Sequence, residues 1–178
     1  MPTASLTDAE TARLRLRRWR HGDAGGLAAV HADPEVTRFI NGPSALTRLE
    51  SDRVSEHVLG HWRTYGFGLW AAEAKDGGQM IGFIGLCHPL WFPAHADAVE
   101  VGWRLRRDAW GRGYATEGAR EALRVGFEDR SLDEILAFIH PDNHRSAAVA
   151  DRLGMTHQDR VPHPNRPHDV DIYASRPS

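Results

Sequence analysis

Apolar and polar side chains alternate along several stretches of the chain, and a period of two residues predicts β-strands. Residues 11–18 alternate leucine with arginine, which is typical of a half-exposed strand. Residues 67–74 and 79–88 are two apolar runs separated by the sequence KDGG, which favours a hairpin turn. The remaining predicted strands cover residues 98–105, 134–139, 155–161 and 170–175. The pattern therefore predicts a seven-stranded sheet.

In other stretches the apolar side chains recur every three or four residues, which is the spacing of an amphipathic helix. Residues 46–62 are the longest such stretch before the hairpin, and Leu49, Val54 and Val58 are predicted to face the core. Asp23 is a plausible cap for the first helix. Three further helices are predicted. One covers residues 35–40, one begins near Ala115, and one begins at Asp142 or Asn143.

This succession of elements predicts an α/β (α+β) fold, in which helices cover both faces of a mixed, mostly antiparallel sheet. The chain has 178 residues, a length that favours one domain. We predict that this domain spans residues 11–178 and follows a flexible N-terminus at residues 1–10. With 41% hydrophobic and 26% charged residues, the composition excludes a disordered protein.

Net charge and cysteine usage narrow the expected partners and compartment. A net charge of −2 provides no general attraction to nucleic acid or to an anionic membrane, so neither is expected. No stretch has the roughly 18 apolar residues of a membrane helix. The single cysteine, Cys87, cannot form a disulfide within the chain, which favours a cytoplasmic location. We interpret it as a core side chain and not as a nucleophile.

A glycine-rich turn with the sequence WGRGYA, residues 110–115, precedes the fourth predicted helix. Backbone N–H groups at a helix start lack partners and the helix dipole adds positive charge, so the turn predicts a site for a di- or polyphosphate. A plain turn is the alternative. The spacing does not match a dinucleotide fingerprint, which needs glycine where Thr116 stands, or a Walker loop, because Arg112 is followed by Gly113.

Together with the preceding strand EVGWRL, this turn resembles the acyl-CoA signature of the GNAT N-acetyltransferase superfamily, Gln/Arg-x-x-Gly-x-Gly/Ala. Trp110, Gly113 and Ala115 occupy its three fixed places, and tryptophan in the first place is usual in the ribosomal-protein N-terminal (Rim-type) branch. A second motif of that branch is similar to HPDNHRSAAVADRLGM. It is matched by Asn143, Ser146, Val149, Leu153, Gly154 and Met155. The resemblance covers most of residues 11–155.

The resemblance implies that acetyl-CoA is the co-substrate and lies between two splayed parallel strands, residues 100–105 and 134–139. Its pyrophosphate would be bound by the backbone amides of Gly111, Arg112, Gly113, Tyr114, Ala115 and Thr116. Arg107 or Arg112 would meet the phosphates, unless these arginines only form a solvated basic loop.

The resemblance also implies where the rest of the co-substrate binds. The pantetheine arm would pair with the backbone around Trp103 and Leu105 in the manner of an added strand, and Asn143 would hydrogen-bond to it. A backbone N–H near Gly102 or Trp103 would stabilise the oxyanion of the reaction.

The implied reaction is transfer of an acetyl group to a primary amine by direct attack within a ternary complex. Glu100 lies where the family often keeps a carboxylate and is the candidate general base, with a strand-edge charge as the alternative. The tyrosine that serves many members as an acid is replaced by Ala150. Ser146 is the substitute that the branch implies, unless it is only a hydroxyl in the first turn of a helix.

The acceptor would enter between residues 35–62 and 161–168, and would be a protein or peptide N-terminus or a small amino compound. Trp91 and Phe92 would line its path, form a homodimer contact or cover the edge of the core.

His57 and His61 have the spacing of a zinc pair, but no third ligand follows, so no metal is expected. The alternative function is a non-catalytic acyl-CoA-binding or sensing module on the same fold.

Overall fold

The computed structural model of the chain describes residues 8–177, and eight strands there form one sheet. They are β1 (Ala9–Glu10), β2 (Leu14–Arg17), β3 (Leu69–Ala74), β4 (Met80–Cys87), β5 (Glu100–Leu105), β6 (Ile135–Ile139), β7 (Thr156–Pro162) and β8 (Asp169–Ser175). In the sheet they follow the order β1-β2-β3-β4-β5-β6-β8-β7. Only the pair of β5 and β6 is parallel, and the other neighbours are antiparallel.

The eighth strand is β1, and the prediction of seven strands was therefore wrong. Ala9 and Glu10 pair with Leu16 and Arg15 of β2. A strand of two residues is too short to show a period, so the pattern of the sequence could not reveal it. The expected flexible N-terminus does not extend to these two residues, and residues 1–7 lie outside the described part of the chain.

Five α-helices accompany the sheet within the described residues. They are α1 (Asp23–His31), α2 (Pro34–Asn41), α3 (Arg48–Tyr65), α4 (Tyr114–Arg124) and α5 (His144–Arg152). Two short 3₁₀ turns occupy Pro93–His95 and Arg107–Ala109, and one turn of π-helix, Val125–Asp129, extends α4. None of the described helices is long and apolar enough to cross a membrane.

Two predictions about helices are corrected by side-chain contacts. Asp23 is the first residue of α1 and not its cap, because its buried carboxylate accepts two hydrogen bonds from Arg17, at 2.8 and 2.9 Å. Leu49 is 62% exposed, whereas Ser51, two residues later and on the opposite side of α3, is fully buried. The Ser51 hydroxyl lies 2.9 Å from Nδ1 of the buried His31, so the core face of α3 is partly polar.

The helices lie on both faces of the sheet, as predicted. Gly118 of α4 packs against Ile84 of β4 so closely that a Cβ atom would come within 2.5 Å of it. On the opposite face, Arg104 of β5 donates a hydrogen bond of 2.8 Å to Nε2 of His31 in α1 and lies over the ring of Phe83. Phe83 and Ile84 are consecutive in β4 and therefore point to opposite faces.

The strands β5 and β6 splay apart, which confirms another prediction. Glu100 and Leu136 are their one register pair, and the Leu136 N–H donates to the carbonyl of Val99 at 2.9 Å. Beyond this point β5 continues to Leu105 without pairing to β6. A cleft therefore opens along the free edge of β5 and leads to the glycine turn.

Candidate active site

The glycine turn presents backbone amides at the N-terminus of α4. Gly111 and Gly113 have φ values of 72° and 81°, a left-handed conformation that suits glycine. The first bond of the helix from this turn is donated by the Glu117 N–H to the carbonyl of Gly113, and no described side chain caps the helix. The N–H groups of residues 111–116 therefore precede the intrahelical bonds at the positive end of the dipole.

Arg13, just before β2, contacts this turn, and sequence reasoning missed it. Its Nη1 donates to the carbonyl of Arg112 at 2.8 Å and its Nε donates to the Glu117 carboxylate at 2.7 Å. Its guanidinium also lies 4.9 Å from the centre of the buried Tyr114 ring. Because 99 residues separate Arg13 from Arg112, no local pattern could have indicated this contact.

The two arginines predicted near phosphates are both exposed and have different neighbours. The Arg112 guanidinium lies 5.0 Å from the centre of the Tyr114 ring and 4.0 Å from the Asp76 carboxylate. Arg107 is exposed and lines a cavity of about 500 Å³ together with Val30 and Asp33. Both guanidiniums are therefore accessible from solvent.

The backbone groups of Gly102 and Trp103, both candidate oxyanion donors from the sequence, point to opposite edges of β5. The Val99 carbonyl faces β6, so Trp103 and Leu105, of the same parity, also direct their backbone groups into the cleft. The N–H of Gly102 instead faces β4, which leaves Trp103 as the candidate oxyanion donor of the two. The carbonyl of Leu105 is already occupied, because the Trp110 indole donates to it at 2.8 Å.

The start of α5 forms the other wall of the cleft. The side-chain oxygen of Asn143 accepts from the Ser146 N–H at 3.2 Å, so Asn143, and not Asp142, caps this helix. Its side-chain amide group is the part that would be available to a pantetheine arm. Ser146 is half-buried in the first turn. Arg145 joins the two walls, because its guanidinium lies 4.7 Å from the centre of the Trp110 ring.

Glu100 stands at the point where β5 and β6 diverge, on the same face of β5 as Arg104. The residue is half-buried. Burial raises the pKa of Glu100 to about 7, although hydrogen bonds from Trp91 and Cys87 oppose that rise. The Trp91 indole lies 3.3 Å and the Cys87 sulfur 3.5 Å from the same carboxylate oxygen, Oε1. Glu100 is therefore a half-buried carboxylate held by two side chains rather than a fully solvated charge at a strand edge.

A splayed strand pair with a glycine turn and a carboxylate at its origin matches a known family. A profile described as acetyltransferase (GNAT) domain matches residues 13–156. The chain belongs to the GNAT family. The uncharacterized protein YkkB of Bacillus subtilis is 31% identical over 163 residues, 88% of this chain and 90% of the relative. FsC-acetyl coenzyme A-N(2)-transacetylase of Aspergillus fumigatus is 32% identical over 154 residues, 83% of this chain and 64% of the relative.

Solved structures support the same assignment. An acetyltransferase from Agrobacterium tumefaciens has a TM-score of 0.82 and 31% identity, and the match covers 97% of this chain and 96% of that one. A ribosomal L7/L12 α-N-protein acetyltransferase in complex with coenzyme A has a TM-score of 0.72 over 93% of this chain and 95% of its own, but at 18% identity it shows only the fold. The protein is an acetyl-CoA-dependent acyltransferase, and these likenesses do not single out the ribosomal-protein branch.

The side of this acetyltransferase that sequence reasoning assigned to the acceptor carries a run of rings. Trp91 stacks on His163 with centroids 4.8 Å apart, and His163 contacts His168 at 5.0 Å. His168 contacts His140 at 4.4 Å, which in turn contacts Phe39 of α2 at 5.0 Å. The structure thus brings together the early helices and the loop between β7 and β8, the two segments that sequence reasoning assigned to the acceptor. Trp91 lies next to Glu100, at the inner end of this run.

Of the two histidines whose spacing suggested zinc, His57 is exposed and His61 belongs to the core of the acetyltransferase. His61 is buried, its Nδ1 lies 2.8 Å from the carbonyl of Phe67, and its Nε2 accepts from the His88 N–H at 2.9 Å. Both ring nitrogens are therefore occupied by the backbone. Within residues 8–177, no three His, Cys, Asp or Glu side chains converge in a way that could hold a metal ion.

Proposed function

We propose that this acetyltransferase moves the acetyl group of acetyl-CoA to a primary amine by direct attack within a ternary complex. The observation that carries the proposal is Glu100, a half-buried carboxylate with a pKa of about 7 at the head of the cleft. A base works best when its pKa lies near the operating pH, because it is then substantially ionised and still accepts a proton readily.

The cleft provides groups of suitable chemistry along the length of acetyl-CoA. The amides of Gly111, Arg112, Gly113, Tyr114, Ala115 and Thr116 would bind the pyrophosphate. The free edge of β5 at Trp103 and Leu105 would pair with the pantetheine amides, and the side-chain amide of Asn143 would bond to them from the other wall. Arg107 and Arg112 would add charge near the phosphates.

In the proposed reaction the amine nitrogen bonds to the thioester carbonyl carbon, and the carbonyl becomes an oxyanion that the Trp103 N–H stabilises. Glu100 takes the proton that the amine loses. The carbon–sulfur bond then breaks, and the CoA thiolate leaves. Ser146 would donate a hydrogen bond to the departing sulfur and relay a proton to it, since the position used by tyrosine in other members is Ala150.

The charges beside the run of rings favour an acceptor with a single amine. A cavity of about 390 Å³ beside it is lined by Arg38, Phe39, Gly42, Pro43, His140 and Asp142. One carboxylate beside one guanidinium gives no net attraction for a polycation. We therefore propose a monoamine acceptor, either a small amino compound or the N-terminus of a peptide or protein as in the Rim-type branch. That the protein forms a homodimer and that it is located in the cytoplasm remain predictions from the sequence.

The test is a panel of small amines, amino acids and N-terminal peptides incubated with acetyl-CoA, with free CoA and acetylated amine as the two readouts. We expect equal amounts of both products from at least one monoamine. Acetyl-CoA binding without CoA release from any amine would instead support the sensing module.

A further inference from the structure

The carboxylate of Glu100 is held from one side only. Its Oε1 accepts both described hydrogen bonds, from the Trp91 indole at 3.3 Å and from the Cys87 thiol at 3.5 Å. Among residues 8–177, no donor contacts Oε2. The two oxygens therefore differ: one is fixed by the protein and the other is left for a ligand.

We infer that Trp91 is a positioning residue for the base: its indole N–H, together with the Cys87 thiol, holds Oε1 of Glu100, so that Oε2 receives the proton of the acceptor amine. This inference rests on the proposed function only in naming the acceptor. The arrangement of the carboxylate is a property of the protein alone.

The acceptor side of the molecule holds Trp91 in place. Its ring stacks on His163 at an angle of 25° and meets the edge of Phe138 at 5.4 Å. Its carbonyl accepts from the side-chain amide of Asn165 at 3.3 Å. His163 and Asn165 belong to the loop between β7 and β8, so a shift of that loop on acceptor binding would move the indole that orients Glu100.

The arrangement also sets how Glu100 responds to pH. A donor stabilises an ionised carboxylate more than a neutral one, so loss of the Trp91 N–H should raise the pKa of Glu100. Burial has the largest effect on this pKa, and Trp91 from the loop and Cys87 from β4 are the only described side chains whose hydrogen bonds act on it. Burial and the nearby Glu100 charge raise the pKa of Cys87, so it remains a neutral thiol. His163, the other titratable neighbour, contacts Trp91 and not Glu100.

The first experiment needs no acceptor. In protein labelled with ¹⁵N-tryptophan, the Trp91 indole signal, assigned by its absence in Trp91→Phe, should shift with a midpoint near pH 7 because it follows ionisation of Glu100. The shift should vanish in Glu100→Gln. Trp19 and Trp62, whose indoles both donate to the Leu69 carbonyl, serve as internal controls. A Trp91 signal that does not titrate between pH 5 and 9 would overturn the inference.

The second experiment uses the amine found by the panel. Trp91→Phe keeps an aromatic ring but removes the N–H, so the acidic limb of the kcat/KM profile should move to higher pH by about half a unit, the effect of a bond worth roughly 0.7 kcal/mol. Trp19→Phe is the matched control: it removes an indole N–H that donates to the Leu69 carbonyl and not to Glu100, and should leave that limb in place. An unmoved limb in Trp91→Phe contradicts the inference. If no amine reacts, the proposed function fails, while the indole titration still decides this inference.

Discussion

The glycine turn and the surroundings of Glu100 lie at opposite ends of the free edge of β5. The turn offers backbone groups to a ligand, whereas the surroundings of Glu100 consist of side chains. The turn presents backbone amides from six consecutive residues, 111–116. Around Glu100 the polar groups are side chains from separate segments: Cys87 from β4, Trp91 from the following loop and Asn165 from the loop between β7 and β8.

Under the proposed function, this difference corresponds to the two ligands of the reaction. Acetyl-CoA is common to the family, and backbone groups can bind its phosphate and amide groups whatever the side chains are. The acceptor varies among members, and side chains from distant segments can change one at a time. The two regions should therefore fail independently when each is altered.

The largest expected effect belongs to the acceptor end. Glu100→Gln removes the base, so kcat/KM at neutral pH should fall roughly 100- to 1000-fold, while the affinity for acetyl-CoA stays unchanged in calorimetry. Glu134→Gln is the matched control, since this exposed carboxylate next to β6 pairs only with Arg176 among the described residues. Wild-type turnover in Glu100→Gln would remove Glu100 from the mechanism.

A second substitution should affect the other end alone. Gly113→Ala places a side chain at φ 81°, which costs about 1–2 kcal/mol when the loop holds its conformation. We expect acetyl-CoA to bind about tenfold more weakly, because the loop relaxes away from the conformation that presents its amides. Gly154→Ala has a similar φ of 73° and open space around it, so it should show the strain as a lower melting temperature without weaker binding. Equal affinities in the two variants would contradict the phosphate role of the loop.

Asn143 allows its two roles to be separated. Asn143→Ala removes the helix cap and should destabilise the protein by about 1 kcal/mol. Asn143→Asp keeps an oxygen that can cap α5 but removes the amide donor, so it should keep the melting temperature and raise the KM for acetyl-CoA about fivefold, the value of one hydrogen bond. An unchanged KM in Asn143→Asp would show that Asn143 is only a cap.

The smallest expected effect concerns the support of the glycine turn. Arg13→Ala removes the contacts with Arg112 and Glu117, and acetyl-CoA affinity should fall about two- to threefold, since the Arg13 side chain is half exposed. Arg15→Ala, two residues later in β2, removes ion pairs with Glu10 and Glu73 instead. Titrations of both variants with acetyl-CoA compare them directly, and equal losses would show that Arg13 has no special link to the turn.

Much of the fold and half of the site followed from local sequence. The hairpin, the glycine turn, the strand β5 and the cap at Asn143 all depend on the conformational preferences of neighbouring residues, and each was predicted within a few positions. The weakest predictions lay where a contact overrides the local pattern. Asp23 binds Arg17, and the side of α3 that faces the core carries Ser51, bonded to His31, whereas Leu49 is exposed.

By itself, the sequence determined most of the strands and the glycine turn, because these depend on periods and turns within short stretches, and its resemblance to the GNAT family implied the splayed strands and a carboxylate at Glu100. Only the tertiary structure decided what surrounds that carboxylate and what supports that turn. Asn165 lies 74 positions from Trp91, and Arg13 lies 99 positions from Arg112. Side chains so far apart meet only after the sheet has formed, and their pairing leaves no periodic trace in one sequence.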